Sequence, residues 1–396
     1  MKIGRARIAD TLGRERNIVA VSVAMFLLAL GENLWKRFLP KYLETLGAPI
    51  TAIGFFGTCE DFLDGVYQYP GGWMGDRFGR RRALLVFVTL ASIGYVLYWL
   101  APAWPFVFLG LVFVMAWSSM ASPTLFAVVG DALPKERRAL GFTVQSVLKR
   151  VPIALAPTLG GLLIAANGVQ GGVRAGLLIT VTLAVITLPV VARVTIPVRE
   201  DSAPTNILTV WRSMPAALRW LLVSDVFIRT CEGLVDVFLV LYAINVVGIS
   251  APRFGALIAV QMATAIVSYF PAAMLADRIG RRPFVIATFA AFALFPIAVV
   301  LAQSFATLLA AFVVGGLREL GEPARKALIV DLGEPAFRAR SIGLYYLIRS
   351  LAIAPAAFIG GLLWQVTPAL PFWAAGTVGF IGVIVFARTV EERYAG

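Results

Sequence analysis

Long apolar runs recur through this chain at short intervals, and nothing constrains its fold more. Spans are read at about 18–39, 50–72, 82–101, 105–130, 141–166, 175–197, 220–246, 253–276, 283–302, 306–331, 341–366 and 370–388. In hydrocarbon a backbone N–H or C=O finds no water, so each run must satisfy its own polar groups as a helix. Only 14% of the residues are charged and 59% are apolar, whereas a soluble domain carries about 25% charged residues. The reading is an all-α polytopic membrane protein with twelve transmembrane helices.

The charges that remain are placed unevenly. Lysines and arginines crowd the two termini and the loops that follow even-numbered spans, leaving only Lys41, Arg174 and Arg253 in the opposite loops. Both termini are therefore expected in the cytoplasm, with the chain in the plasma (inner) membrane. The net charge of +13 is a topology signal on this view, and no nucleic acid is expected as a partner. The basic start, Lys2, Arg5, Arg7, Arg14 and Arg16, runs directly into a full-length span, so no cleavable signal peptide is expected. Cys59 and Cys231 fall inside apolar runs, which predicts neither a disulfide framework nor a metal site. There is no histidine, so any proton relay must use carboxylates.

The chain repeats itself. Glu32, Pro123, Asp131 and Gly160-Gly161-Leu162-Leu163 match Glu232, Pro323, Asp331 and Gly360-Gly361-Leu362-Leu363, an offset of 200 (232 − 32). The loop Gly72-Trp73-Met74-Gly75-Asp76-Arg77-Phe78-Gly79-Arg80-Arg81-Arg82 returns as Ala273-Met274-Leu275-Ala276-Asp277-Arg278-Ile279-Gly280-Arg281-Arg282. In each copy the glycine permits a tight reversal. The longest polar segment lies between the copies. The division expected is a six-helix bundle over 1–198, a cytoplasmic linker over 199–219 with a short surface helix around 210–218, and a second six-helix bundle over 220–396. The repeat makes the two expected bundles pseudo-symmetric.

The doubled Gly-x-x-x-Asp-Arg-x-Gly-Arg-Arg loop resembles the signature of the major facilitator superfamily (MFS), and the resemblance covers essentially the whole chain. It implies the MFS fold and alternating access. It also implies a gating role for Asp76, Arg77, Arg80, Asp277, Arg278 and Arg281, with Asp131 and Asp331 as cytoplasmic partners of the two loops. Ala156-Pro157-Thr158-Leu159-Gly160-Gly161 is similar to the Gly-Pro-x-x-Gly-Gly motif of the proton-driven drug antiporters, with Ala156 for the first glycine. Those antiporters carry an arginine within span four. Here span four has no charge before Asp131, and the equivalent arginine is Arg318 in span ten.

Charges within spans are costly and mark substrate or proton paths. Asp225, Arg229, Glu232 and Asp236, spaced four, three and four apart, are expected on one face of span seven. Arg318, Glu322, Arg325 and Lys326 are expected on one face of span ten, and Glu32 with Lys36 on one face of span one. The candidate residues for substrate binding or coupling are Glu32, Lys36, Asp64, Arg229, Glu232, Asp236, Arg318, Glu322, Arg325 and Arg349. About half of the buried charges are expected to pair for structure alone. Glu232 is the favoured titrating group and Glu32 the favoured substrate contact. Tyr345 and Tyr346 are read as packing rather than ligand contacts.

No Gly-x-x-x-x-Gly-Lys-Ser/Thr loop points to ATP drive, and no Gly-x-Ser-x-Gly, histidine or surface cysteine points to an enzyme. The chain reads as a secondary active transporter, without a cofactor and monomeric in the lipid bilayer. Its partners are a small-molecule substrate and protons. Export of a drug-like or amphipathic compound is favoured, and uptake or exchange of an organic anion is the alternative. A membrane-embedded enzyme or receptor ranks last.

Overall fold

A computed structural model describes residues 2–121, 125, 138–193, 211–212, 214–332 and 338–390. The described elements are helical: α1 (Lys2–Trp35), α2 (Leu39–Thr45), α3 (Ile50–Phe78), α4 (Arg80–Leu100), α5 (Trp104–Met115), α6 (Arg138–Ala192), α7 (Ala216–Gly233), α8 (Leu239–Leu241), α9 (Ala251–Ile279), α10 (Arg282–Leu301), α11 (Phe305–Leu317), α12 (Glu322–Leu332), α13 (Arg338–Ile353), α14 (Ala356–Val366) and α15 (Leu370–Thr389). The chain falls into two compact units, Met1–Gly47 with Leu63–Ser202, and Ala48–Phe62 with Ala203–Gly396. Of the surface helix expected around 210–218, residues 216–218 are instead the first turn of α7. Asp131 and most of the 199–219 linker lie outside the described residues.

Seven helical stretches among the described residues are long and apolar enough to cross a membrane. The fourth expected span lies partly outside the described residues, and two further spans differ from the expectation for reasons seen in the chain. The spans read at 141–166 and 175–197 are both largely helical and run together in α6 across a non-helical reversal at Gly168 (φ 72°, ψ 171°), so they count as one stretch. The charges of α7 also remove it from the apolar set. Large apolar side chains such as Val267, Met274 and Leu301 stand exposed, while Asp225, Glu322 and Arg325 are buried. That inside-out arrangement is what a lipid solvent favours.

The doubled loop uses its glycines as expected. Gly79 (φ 86°) precedes α4 and Gly280 (φ 102°) closes α9, both in the region that glycine enters without steric cost. The sequence repeat extends to backbone geometry. α1 stops at Trp35 (φ −121°, ψ −27°) and gives way to a 3-10 turn over Lys36–Phe38. In the second unit α7 ends at Gly233, and Val235 (φ −125°, ψ −19°) leads into a 3-10 turn over Asp236–Phe238. Phe38 and Phe238 are both fully buried. These breaks correct two sequence expectations: Lys36 leaves the helical face of Glu32, and Asp236 leaves the face of Asp225, Arg229 and Glu232. Just before each break the backbone is met by a repeated glycine. A Cβ on Gly160 would lie 1.8 Å from the Leu34 carbonyl oxygen, and one on Gly360 would lie 2.2 Å from that of Leu234.

In the second unit α7 packs against α15 and α13, and α10 against α15 and α11. A core of Leu218, Leu221, Phe289, Leu328, Leu344 and Phe386 fills the space between them. It holds α7, α12 and α13 together, and the charged residues on these helices meet immediately beside it.

Candidate functional site

The site grows from one face of α7. Spacings of four and three put Asp225, Arg229 and Glu232 in a row. Opposite them the tenth span is interrupted. α11 ends at Leu317, and Arg318 caps it with its Nε donating to the Gly315 carbonyl at 3.0 Å. Gly321 donates its N–H to Thr288 Oγ1 at 2.6 Å, and α12 starts at Glu322. A Cβ on Gly321 would stand 2.2 Å from the Phe284 carbonyl oxygen, so only glycine fits this approach. The break corrects the expectation that Arg318 and Glu322 share one continuous helix face. It also puts the Glu322 carboxylate at a helix N-terminus, where the dipole favours it.

The result is a line of alternating charges. Arg318 Nη1 lies 3.3 Å from Glu232 Oε1, and Glu232 Oε2 accepts from Arg229 Nη1 at 2.8 Å. Arg229 Nη2 lies 3.5 Å from Glu322 Oε2. Glu322 accepts from both Nε (2.9 Å) and Nη2 (2.7 Å) of Arg325. Arg325 Nη1 then donates to Asp225 Oδ2 at 2.6 Å, and Arg349 Nη1 stands 3.5 Å from the same oxygen. The Tyr345 hydroxyl also donates to Asp225 Oδ2, at 3.0 Å. Lys326 stands 3.6 Å from Glu322 as a side branch and is 60% exposed.

Aromatic rings support the cations. Phe292 has Arg229 on it at 5.0 Å and Arg318 at 5.0 Å, and Phe295 takes Arg318 at 4.5 Å. Arg349 lies 4.7 Å from the Tyr346 ring. Such contacts suit arginine, whose guanidinium is planar and weakly hydrated. Along the line, four guanidiniums face three carboxylates. The Asp225 and Arg325 side chains are 0% and 2% exposed, so this pair is interior structure. Arg229, Glu232 and Arg349 retain some exposure.

The structure thus brings Arg229, Glu232, Arg318, Glu322, Arg325 and Arg349 together. The other candidates lie elsewhere. In the first unit Glu32 accepts from the Tyr95 hydroxyl at 2.6 Å, beside Trp35, whose indole donates to Thr180 Oγ1 at 3.0 Å. Asp64 accepts from Ser119 Oγ at 2.6 Å. Lys36 and Asp236 sit in the two 3-10 turns. Among the gating candidates Arg281 and Asp331 form an ion pair on the second unit. Arg77 lies 5.2 Å from the Trp73 ring, and Arg80 is buried at the start of α4. Asp76, Asp277 and Arg278 close α3 and α9, and their side chains lie outside what is described.

Sequence reasoning missed three contributors. Asp225 stands in the charged row but not among the candidates, and it is the most buried acid of the line. Tyr345 was read as packing and donates to that acid. Phe292 sits within a run of apolar residues and gave no signal.

The Major Facilitator Superfamily model matches residues 21–228 and 221–396. The uncharacterized MFS-type transporter MJ1317 of Methanocaldococcus jannaschii is 23% identical over 385 residues, covering 92% of this chain and 93% of that protein. The 3-(3-hydroxy-phenyl)propionate transporter of Escherichia coli is 34% identical over 125 residues, 30% of each chain. Among solved structures, the crystal structure of a POT family transporter in complex with 5-aminolevulinic acid superposes with a TM-score of 0.78 at 14% identity, covering 94% of this chain and 95% of that one.

Proposed function

Because the chain belongs to the Major Facilitator Superfamily, and so is a membrane-embedded secondary transporter, we propose that its solute carries an anionic group, a carboxylate or a similar oxyanion. The observation that carries this reading is the line on α7, α12 and α13, in which four guanidiniums meet three carboxylates. A surplus buried cation is costly without a counter-ion, and an anionic solute supplies one. Arginine presents the planar fork that matches a carboxylate. The similarity to a hydroxyphenylpropionate transporter over 125 residues points the same way. Export of a drug-like compound, favoured on sequence, ranks second and rests on the Ala156–Gly161 motif.

The reading includes twelve spans in two repeated halves joined by the 199–219 linker, with both termini cytoplasmic and the chain in the plasma membrane. Transport is proton-coupled through carboxylates, with Glu32, Asp64, Glu232 and Asp236 as candidates. The test is uptake of radiolabelled carboxylates, amines and neutral drugs into proteoliposomes, with a pH-sensitive dye inside. Saturable carboxylate transport accompanied by proton movement is expected. Transport of amines or neutral drugs with no carboxylate carried would reverse the reading, and carboxylate flux without proton flux would remove the coupling.

The loop charges serve gating on this reading. The Arg281–Asp331 pair is partly exposed, and such pairs contribute only about 0–1 kcal/mol to stability. Asp331→Asn is therefore expected to leave thermal unfolding nearly unchanged while slowing transport. Parental transport rates in this variant would take the pair out of the gate.

A further inference from the structure

At the Asp225 end, the line of charges closes on an arginine that is barely held. Arg349 makes no hydrogen bond among the described residues. Its Nη1 stands 3.5 Å from Asp225 Oδ2, and its Nε is buried without a partner. Asp225 is the counterpart. Arg325 at 2.6 Å and Tyr345 at 3.0 Å both reach Oδ2, while Oδ1 is buried with no hydrogen-bond partner. An arginine and a carboxylate this close normally form two parallel hydrogen bonds. The atoms such a pair would use are the ones left open on each side.

Arg325 shows the contrast, since its Nε, Nη1 and Nη2 all donate and its side chain is 2% exposed. Arg349 has unused donors and is 17% exposed. Tyr346 lies against the guanidinium and orients it without occupying a donor. We infer that Arg349 is the residue that takes the anionic group of the solute, with Asp225 as its resting counter-ion. The guanidinium closes on Asp225 when the site is empty and turns to the solute when it is filled. This assignment rests on the anionic-solute reading above and names the specificity-determining residue within it.

Asp225 then competes with the solute, so the two residues have opposite effects. Removing the Arg349 fork weakens anion binding, and removing the Asp225 charge strengthens it. A purely structural pair would move binding the same way in both cases.

The experiment is calorimetric titration of the full-length protein in detergent with benzoate, 3-phenylpropionate, succinate and inorganic phosphate, with benzylamine as the charge-reversed control. For the anion that binds best, Arg349→Gln is expected to weaken affinity by about tenfold or more, the size of a charge-assisted hydrogen bond. Arg349→Lys falls between, because it keeps the charge and loses the fork. Asp225→Asn is expected to bind several-fold tighter, about threefold to tenfold on the same scale. If Asp225→Asn does not fold, Asp225→Glu replaces it and should weaken binding, since the longer carboxylate reaches Arg349. The unfolding midpoint of Arg349→Gln should stay near the parent's. Anion binding in Arg349→Gln equal to the parent's overturns this assignment and leaves the anionic reading standing. A parent that binds benzylamine and none of the anions overturns both.

Discussion

Arg325→Ala is expected to cost about 3–5 kcal/mol of stability, the range for breaking one side of a buried ion pair. The guanidinium is bonded on three sides, twice to Glu322 and once to Asp225. Truncation leaves Asp225, with a fully buried side chain, facing Tyr345 and the more distant Arg349 among the described residues. Glu322 keeps Arg229 at 3.5 Å and Lys326 at 3.6 Å, neither within good hydrogen-bonding reach. Thermal unfolding in detergent, or the monodisperse fraction after purification, reads the loss directly. An unshifted midpoint would mean that water or a rearranged Arg349 replaces the lost partner, and that Arg325 is not the structural centre of the line.

The second large effect is steric. Gly160→Ala and Gly360→Ala are expected to reduce the yield of folded protein sharply, and by similar amounts. The added Cβ would lie 1.8 Å from the Leu34 carbonyl oxygen in one unit and 2.2 Å from that of Leu234 in the other. Overpacking ordinarily costs about 1–3 kcal/mol when side chains can yield. Here the obstacle is backbone at the end of a helix, so relief requires two helices to move apart. Gly343→Ala is the control. It lies in α13 with nothing within 4 Å of the added Cβ, and is expected to be neutral or slightly stabilising. Size-exclusion profiles of the three variants decide the matter. A normal profile for Gly160→Ala would show that the α1–α6 contact is looser than its geometry.

The repeat was legible in the sequence because it lies in residue types that do one job each. A glycine that must reverse the chain or admit a backbone cannot be exchanged, so Gly79, Gly160, Gly280 and Gly360 show the repeat in letters. The paired helix breaks were also written there, in Glu32, Leu34, Phe38 and Leu39 against Glu232, Leu234, Phe238 and Leu239. They went unread because only the first copy carries a proline, Pro40, and a 3-10 turn in a hydrophobic run has no periodicity of its own. The interruption before Glu322 had a usable signal in Gly321 followed by Pro323, the order of a helix stop and a new first turn.

The site was legible along a helix and opaque between helices. Spacing gave the row Asp225, Arg229, Glu232 without any structure. Which charges meet across helices depends on packing, and packing is set by residues with no chemical signature. Phe292 is one, a phenylalanine whose ring lies against two guanidiniums. Depth misled as well. Asp225 lies only a few residues inside its expected span, yet it is fully buried, with Arg325 and Tyr345 reaching it from other helices.

Seen as a one-dimensional ionic lattice, the line Arg318, Glu232, Arg229, Glu322, Arg325, Asp225, Arg349 is odd-numbered with like ends. However its neighbours are paired off, one positive charge is left over, and it can be drawn at either terminus. Lys326 branches from Glu322 outside the row and is 60% exposed. A guest with one negative charge brings the lattice to neutrality, whereas a doubly charged guest would leave it one electron charge in excess. On the anionic-solute reading proposed above, the row as it stands among the described residues leaves room for one anionic group of the solute.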